Sequence, residues 1–165
     1  MTIPRAILTV GLPACGKSTY AKQLLVATPG LVELNLDALR HEVSGDESDQ
    51  SATRRAIALR NRRLNGYAAR GQDVILSDTH ARRRHRIHLT RRLRELGFQV
   101  ELAVFDVGAA TCRARNAARG RQVSEFAMQL METRLRLAPP LPSEADVFTR
   151  VTDPGDPLWP SPAGT

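Results

Sequence analysis

The sequence predicts an α/β domain: a parallel central sheet of about five strands, helices on both of its faces, and a small helical lid. Three observations carry that expectation. Short apolar runs of strand length alternate with helical patterns along the chain, as strand–crossover–strand units do. A glycine-containing turn, GLPACGKS, separates the first apolar run from the first helical pattern. Gly11, Asp37 and Asp78 each close a predicted strand, which places them where the carboxyl ends of a parallel sheet open into a ligand crevice.

Composition sets the outer bounds. The chain has 165 residues, 42% of them apolar and 25% charged, which suits one ordinary domain with a real core. No apolar run reaches bilayer length, and MTIPRAILTVG leads directly into a strand with no room for a signal peptide. Two distant cysteines, Cys15 and Cys112, give no disulfide framework, so the expected compartment is reducing and cytoplasmic. The net charge of +7 and pI near 10.6 allow two readings: a footprint for a polyanion such as nucleic acid, or arginine accumulated through a GC-rich genome. Lys17 and Lys22 are the only lysines, which suits the second. A surplus of positive charge not balanced by acids favours the first.

In chain order, residues 6–10 read as a buried strand and residues 18–25 as the start of a helix. Residues 31–36 form a second strand that ends at Asp37. A polar acidic loop covers residues 45–50, and residues 52–69 are helical, closed by Gly71. Residues 73–78 make a third strand, apolar in the middle and acidic at its end. A helix runs through Ile87, Leu89, Leu93 and Leu96 to a stop at Gly97, and residues 98–107 make a fourth strand. Two short helices, 109–118 and 125–137, hinge at Arg119-Gly120-Arg121 and form the expected lid. After the Pro139–Pro142 break, residues 147–151 supply a last strand. The domain is expected to occupy residues 1–152, followed by a proline- and glycine-rich tail, 153–165, whose Trp159 covers an apolar patch.

The loop from Gly11 to Ser18 has the spacing of a phosphate-binding loop, with a strand before it and a helix after. Gly11 and Gly16 let backbone N–H groups turn inward toward phosphate oxygens, and Leu12, Pro13, Ala14, Cys15 and Thr19 complete the cradle. Lys17 is expected on the β- and γ-phosphates of ATP and Ser18 on Mg2+. Asp37 and Arg40, three residues apart at a helix start, share a face, and the carboxylate is placed to take a proton from an acceptor hydroxyl. Asp78, at the end of a buried strand, is the expected second group at Mg2+ or its water shell. Arg115 and Arg119 are four apart and share a helix face from which they can stabilise a phosphoryl group in transfer. Arg121 lies outside that pair and is expected to matter less. The run Arg82-Arg83-Arg84-His85-Arg86 reads either as a basic cluster at the site entrance or as a solvated helix end. His80, His85 and His88 are too crowded by arginine to be metal ligands.

These segments together resemble the kinase domain of bacteriophage-type polynucleotide 5′-kinases, over roughly Ile7 to Leu137: ILTVGLPACGKSTYAKQL, TPGLVELNLDALR, VILSDTH, VFDV and RNAARG. The resemblance implies a P-loop kinase fold and transfer of the γ-phosphate of ATP to the 5′-hydroxyl end of DNA or RNA. It implies Lys17 and Ser18 at the triphosphate, Asp37 as general base, Arg40 on the acceptor's phosphate and Arg119 on the ATP phosphates, with Asp78 matching an aspartate the family needs. No phosphatase motif is found, so a kinase without 3′-end repair is expected. Ala38 and His80 stand where the family pattern implies Asp and Asn. Small kinases with the same loop act on antibiotics, metabolites or nucleotide sugars, and a small-molecule kinase is the alternative reading. Oligomeric state is not legible.

Overall fold

The computed structural model describes residues 3–151; the tail and the role expected for Trp159 lie outside the described residues. Five strands form one all-parallel sheet in the order β2-β3-β1-β4-β5. They are β1 (Arg5–Val10), β2 (Val32–Leu34), β3 (Val74–Leu76), β4 (Gln99–Phe105) and β5 (Val147–Val151). Six α-helices connect them: α1 (Lys17–Ala27), α2 (Leu36–Ser44), α3 (Thr53–Ala69), α4 (Arg83–Glu95), α5 (Ala109–Ala118) and α6 (Glu125–Leu137). Short 3-10 turns at Gln50–Ala52 and Pro142–Glu144 precede α3 and β5.

The two-residue period of the strands divides the core into two layers. Ala6, Leu8 and Val10 of β1 face one way and pack with Val74, Leu76, Val100 and Leu102 under α3 and α4, through Leu64, Leu89 and Leu93. Ile7, Ile75 and Ala103 face the other way, under Tyr20 and Ala21 of α1, Cys112 of α5 and Met128 of α6. The central strand β1 is in register with both neighbours, Ala6 beside Val74 and Val100, Leu8 beside Leu76 and Leu102. Each of these leucines is 0% exposed, and burial of such a side chain stabilises the fold by about 1.5–3 kcal/mol. Among the described residues no helix is long and apolar enough to cross a membrane.

Helix and strand ends differ from the expected ones for local reasons. The strand expected over 31–36 is cut to Val32–Leu34, because Asn35 turns out of the strand and caps α2, its side chain accepting from the Ala38 N–H at 3.1 Å. Asp37 therefore sits in the first turn of α2 and not at the strand end. The strand expected over 73–78 shortens to Val74–Leu76, where Thr9 of β1 reaches across to the carbonyls of Leu76 (3.3 Å) and Asp78 (2.9 Å) and fixes the exit of the chain. The fourth strand stops at Phe105, two residues short of the expected end. The helix expected from 52 starts at Thr53, after a 3-10 turn capped by Asp49. The two helices expected over 109–118 and 125–137 have those bounds.

Candidate active site

The phosphate loop leaves β1 and is shaped by its backbone. Ala14 (φ 62°) and Gly16 (φ 106°) are both left-handed, a conformation costly for a residue with a Cβ. Gly11 is needed for a different reason: a Cβ there would lie 2.7 Å from Cys15 Sγ and 2.9 Å from Phe105 Cβ. Its N–H donates to the Thr79 carbonyl at 3.2 Å, which ties the loop to the end of β3. The N-terminus of α1 has no side-chain cap and no acidic residue in its first turn, so its free N–H groups and positive dipole end face the loop. Lys17 is buried, and its Nζ donates to the carbonyls of Gly11 (3.1 Å) and Leu12 (2.5 Å). Such an arrangement fits an anionic ligand. The cation is already held over the loop, and the donors are in place before anything binds.

Pro13, Ala14, Gly16, Lys17, Ser18 and Thr19 line a cleft of about 870 Å³. Gly11, Leu12 and Cys15 do not reach it: all three are buried, and the side chains of Leu12 and Cys15 pack into the core beneath. Their part in a cradle is limited to backbone. Across the cleft stand Asp37, Arg40 and Asp78, and over it Arg115, Arg119 and Arg121. One cleft thus brings together the loop, both carboxylates and the arginines that the sequence singled out.

Asp37 and Arg40 form an ion pair one turn apart on α2. Arg40 is only 8% exposed, and its Nε donates to the Glu47 carbonyl at 2.9 Å. The other Asp37 oxygen faces Arg121 Nη1 at 3.5 Å, and the same Arg121 nitrogen pairs with the Glu47 carboxylate. The residue expected to matter less than Arg119 is therefore the one that contacts Asp37. Asp78 has a divided carboxylate. One oxygen accepts from the Leu36 N–H at 3.0 Å, closing the start of α2, while Oδ2 is buried without a partner. An orphaned acceptor beside the phosphate loop and across from the exposed Ser18 hydroxyl suits a hard divalent cation or its water shell, and the residues present fit Mg2+.

Arg115 and Arg119 do not share a helix face. α5 ends at Ala118, and Arg119 is extended (φ −95°, ψ 154°), with its Nε on Asn116 Oδ1 at 3.0 Å. Asn116 also accepts from the Val123 N–H at 3.0 Å and donates to the Val123 carbonyl at 2.7 Å, so one buried side chain sets the course of the α5–α6 connection. Sequence reasoning passed over Asn116; its signal was an amide in an otherwise small-residue and arginine stretch.

The run of basic residues at 82–86 is not one cluster. Arg86 is fully buried and paired with Glu144, whereas Arg82, Arg84 and His85 are exposed. His80 is strained (φ 41°), and its Nδ1 lies 2.7 Å from the Thr9 carbonyl, so this nitrogen carries the proton. Burial, chiefly, pushes its pKa below the usual histidine range, against the pull of Asp78, and leaves the neutral ring's Nε2 buried without a partner.

A family model described as an AAA domain matches residues 7–140. The chain belongs to this AAA-domain family. Among solved structures, it is similar to a putative kinase from Chloroflexus aurantiacus (TM-score 0.71, 23% identity, 92% of this chain and 86% of that one). It is also similar to a chain of the Pnkp1/Rnl/Hen1 RNA repair complex (TM-score 0.75, 20% identity), where 83% of this chain matches 45% of the other. A third similarity is to a gluconokinase from Sinorhizobium meliloti (TM-score 0.58, 20% identity, 96% and 87%). Identities this low establish the architecture alone: this member of the AAA-domain family has the P-loop kinase fold.

Proposed function

We propose that the protein is an ATP-dependent polynucleotide 5′-hydroxyl kinase, acting on DNA or RNA ends. The observation that carries this reading is the single cleft in which the phosphate loop faces Asp37, Arg40 and Asp78 under Arg115 and Arg119. The order of those residues along the chain and the surplus positive charge direct it toward a polyanionic acceptor. In this reading the loop amides, the N-terminus of α1 and Lys17 hold the triphosphate of ATP. Ser18 and Asp78 would hold Mg2+, which supplies charge neutralisation on the phosphate oxygens.

Asp37 takes the proton of the acceptor hydroxyl as it attacks, and Arg40, itself buried, keeps the carboxylate aimed into the cleft. Arg121 gives up the second Asp37 oxygen when the acceptor arrives. Residues 109–137 act as the lid, with Arg115 and Arg119 over the transferring group. Arg113 binds the two lid helices to each other through Glu125 (2.9 Å) and Glu132 (2.7 Å), so they move together.

The test supplies γ-labelled ATP, Mg2+ and a 5′-hydroxyl oligonucleotide, and locates the label on the product's 5′ end. Asp37→Asn keeps the shape and removes the base, so transfer is expected to fall about 10²–10⁴-fold while ATP binding persists. Label on a sugar or nucleoside with none on the oligonucleotide would refute the polynucleotide reading and leave a small-molecule kinase.

A further inference from the structure

Behind the cleft lies a second cavity of about 700 Å³, between α3, α4 and α6. The two share the lining residues Leu36, Asp78, Thr79 and Met131, so they adjoin next to the start of α2. Its charge is one-sided. Arg60, Arg82, Arg84 and Arg134 line it, and among the described residues no carboxylate forms an ion pair with any of the four. Asp78 is the sole acid in its wall.

Three of its lining residues carry a buried side-chain atom without a hydrogen-bond partner: Arg60 Nε, a donor, and Asp78 Oδ2 and His80 Nε2, both acceptors. The start of α4, at Arg82, also carries no side-chain cap. Like charges brought together at this density repel one another. The effect is seen at His85, whose pKa is lowered by burial first and then by Arg82, Arg84, Arg134 and His88. The unpaired Arg60 Nε–H and the converging cations are relieved together by an anion that accepts hydrogen bonds.

We propose that this chamber is the acceptor's phosphate pocket, in which Arg60, Arg82, Arg84 and Arg134 hold the backbone phosphates downstream of the attacking 5′-hydroxyl. The proposal rests on the polynucleotide reading and moves the phosphate contacts away from Arg40. Arg40 already spends its Nε on the Glu47 carbonyl and one Nη on Asp37. The chamber also gives the acceptor a direction: the 5′ end at Asp37, the following residues toward α3 and α4.

The experiment compares Arg82→Ala/Arg84→Ala with Arg54→Ala/Arg91→Ala. The second pair removes the same charge from exposed arginines outside the chamber. Binding of a fluorescent single-stranded 5′-hydroxyl oligonucleotide is followed against salt. The chamber pair is expected to weaken binding at least about tenfold and to flatten the log–log salt slope by about 1.4, two phosphate contacts at roughly 0.7 each. The control pair should leave both nearly as in the wild type.

A second readout needs no acceptor. Thermal stabilisation by pyrophosphate is measured in a Lys17→Ala background, which weakens the phosphate loop, with and without the chamber substitutions. Loss of that stabilisation only with the chamber pair supports the pocket, even should the oligonucleotide prove no substrate. The polynucleotide reading would then fall and the pocket would serve a smaller phosphorylated acceptor. Indistinguishable behaviour of the two double variants in both readouts overturns the proposal, whether or not the oligonucleotide is phosphorylated.

Discussion

Arg86→Met is expected to be among the most destabilising single substitutions in the chain. Arg86 is 0% exposed and uses its whole guanidinium: Nε on Glu144 at 2.9 Å, Nη1 on the His80 (3.0 Å) and Ala81 (3.1 Å) carbonyls, Nη2 on the Ala138 carbonyl (3.0 Å) and Glu144 (3.4 Å). The Glu144 carboxylate is itself only 2% exposed at its side chain. Methionine would fill much of the volume but leave that buried carboxylate with only the half-exposed Arg83 at 3.3 Å, a loss of about 3–5 kcal/mol. Three backbone carbonyls also lose their donor, partly replaced by water, at roughly 0.5–1 kcal/mol each. The sum, about 4.5–8 kcal/mol, is comparable to the whole stability of many domains. Urea unfolding followed by circular dichroism measures it. Arg86→Met/Glu144→Leu should recover the larger part, since the penalty lies mainly in the stranded charge. Arg83→Met, which removes a half-exposed partner of the same carboxylate at 3.3 Å, should cost under about 1 kcal/mol. A loss below about 2 kcal/mol for Arg86→Met, or no recovery in the double variant, would refute the reasoning.

Three further outcomes follow from the site. Lys17→Ala should reduce phosphoryl transfer by more than about 10²-fold, because no other cation is held on the Gly11 and Leu12 carbonyls; steady-state kinetics with saturating ATP checks it. Gly11→Ala should destabilise the fold by about 1–3 kcal/mol in a thermal melt, since its Cβ meets Cys15 Sγ and Phe105 Cβ inside 3.0 Å and something must shift. Arg119→Ala and Arg121→Ala should separate: the first lowers kcat with little change in the KM for ATP, while the second, which frees Asp37 and Glu47, acts on the KM for the acceptor. Identical profiles for the two would remove the distinction drawn between them.

The parts of this fold that were legible in the sequence are those fixed by local periodicity. The strand, turn and helix around GLPACGKS follow from an apolar run, two glycines and a helix pattern, and the bounds of α5 and α6 follow from the Arg119-Gly120-Arg121 hinge between them and the Pro139–Pro142 break after them. What escaped is decided by partners far away in the chain. Asn35 and Leu36 look like strand residues until the Asp78 carboxylate, 42 positions later, closes the α2 N-terminus. Glu47 lies in a loop that reads as solvated, yet its carbonyl holds Arg40 and its carboxylate holds Arg121. Arg119 continues the helical spacing of Arg115, but Asn116 draws the chain out of the helix one residue earlier.

Arginine shows the same limit most sharply, because composition makes it uninformative while partnership makes it specific. Arg82, Arg84 and Arg86 stand within five positions of one another in a chain with two lysines, and nothing in the sequence ranks them. In the fold Arg86 turns inward to Glu144 and becomes a structural post for the start of α4, whereas Arg82 and Arg84 find no acid. A guanidinium with a buried carboxylate contributes to stability and is electrostatically silent to ligands. One without a carboxylate, set beside others like it in a cavity, keeps its field for whatever enters. Genome composition can account for how many arginines a chain carries, but it cannot distribute the unpaired ones. Four of the arginines without an ion pair among the described residues meet in the chamber beside the phosphate cleft, and under the proposal above that is where part of the excess charge acts.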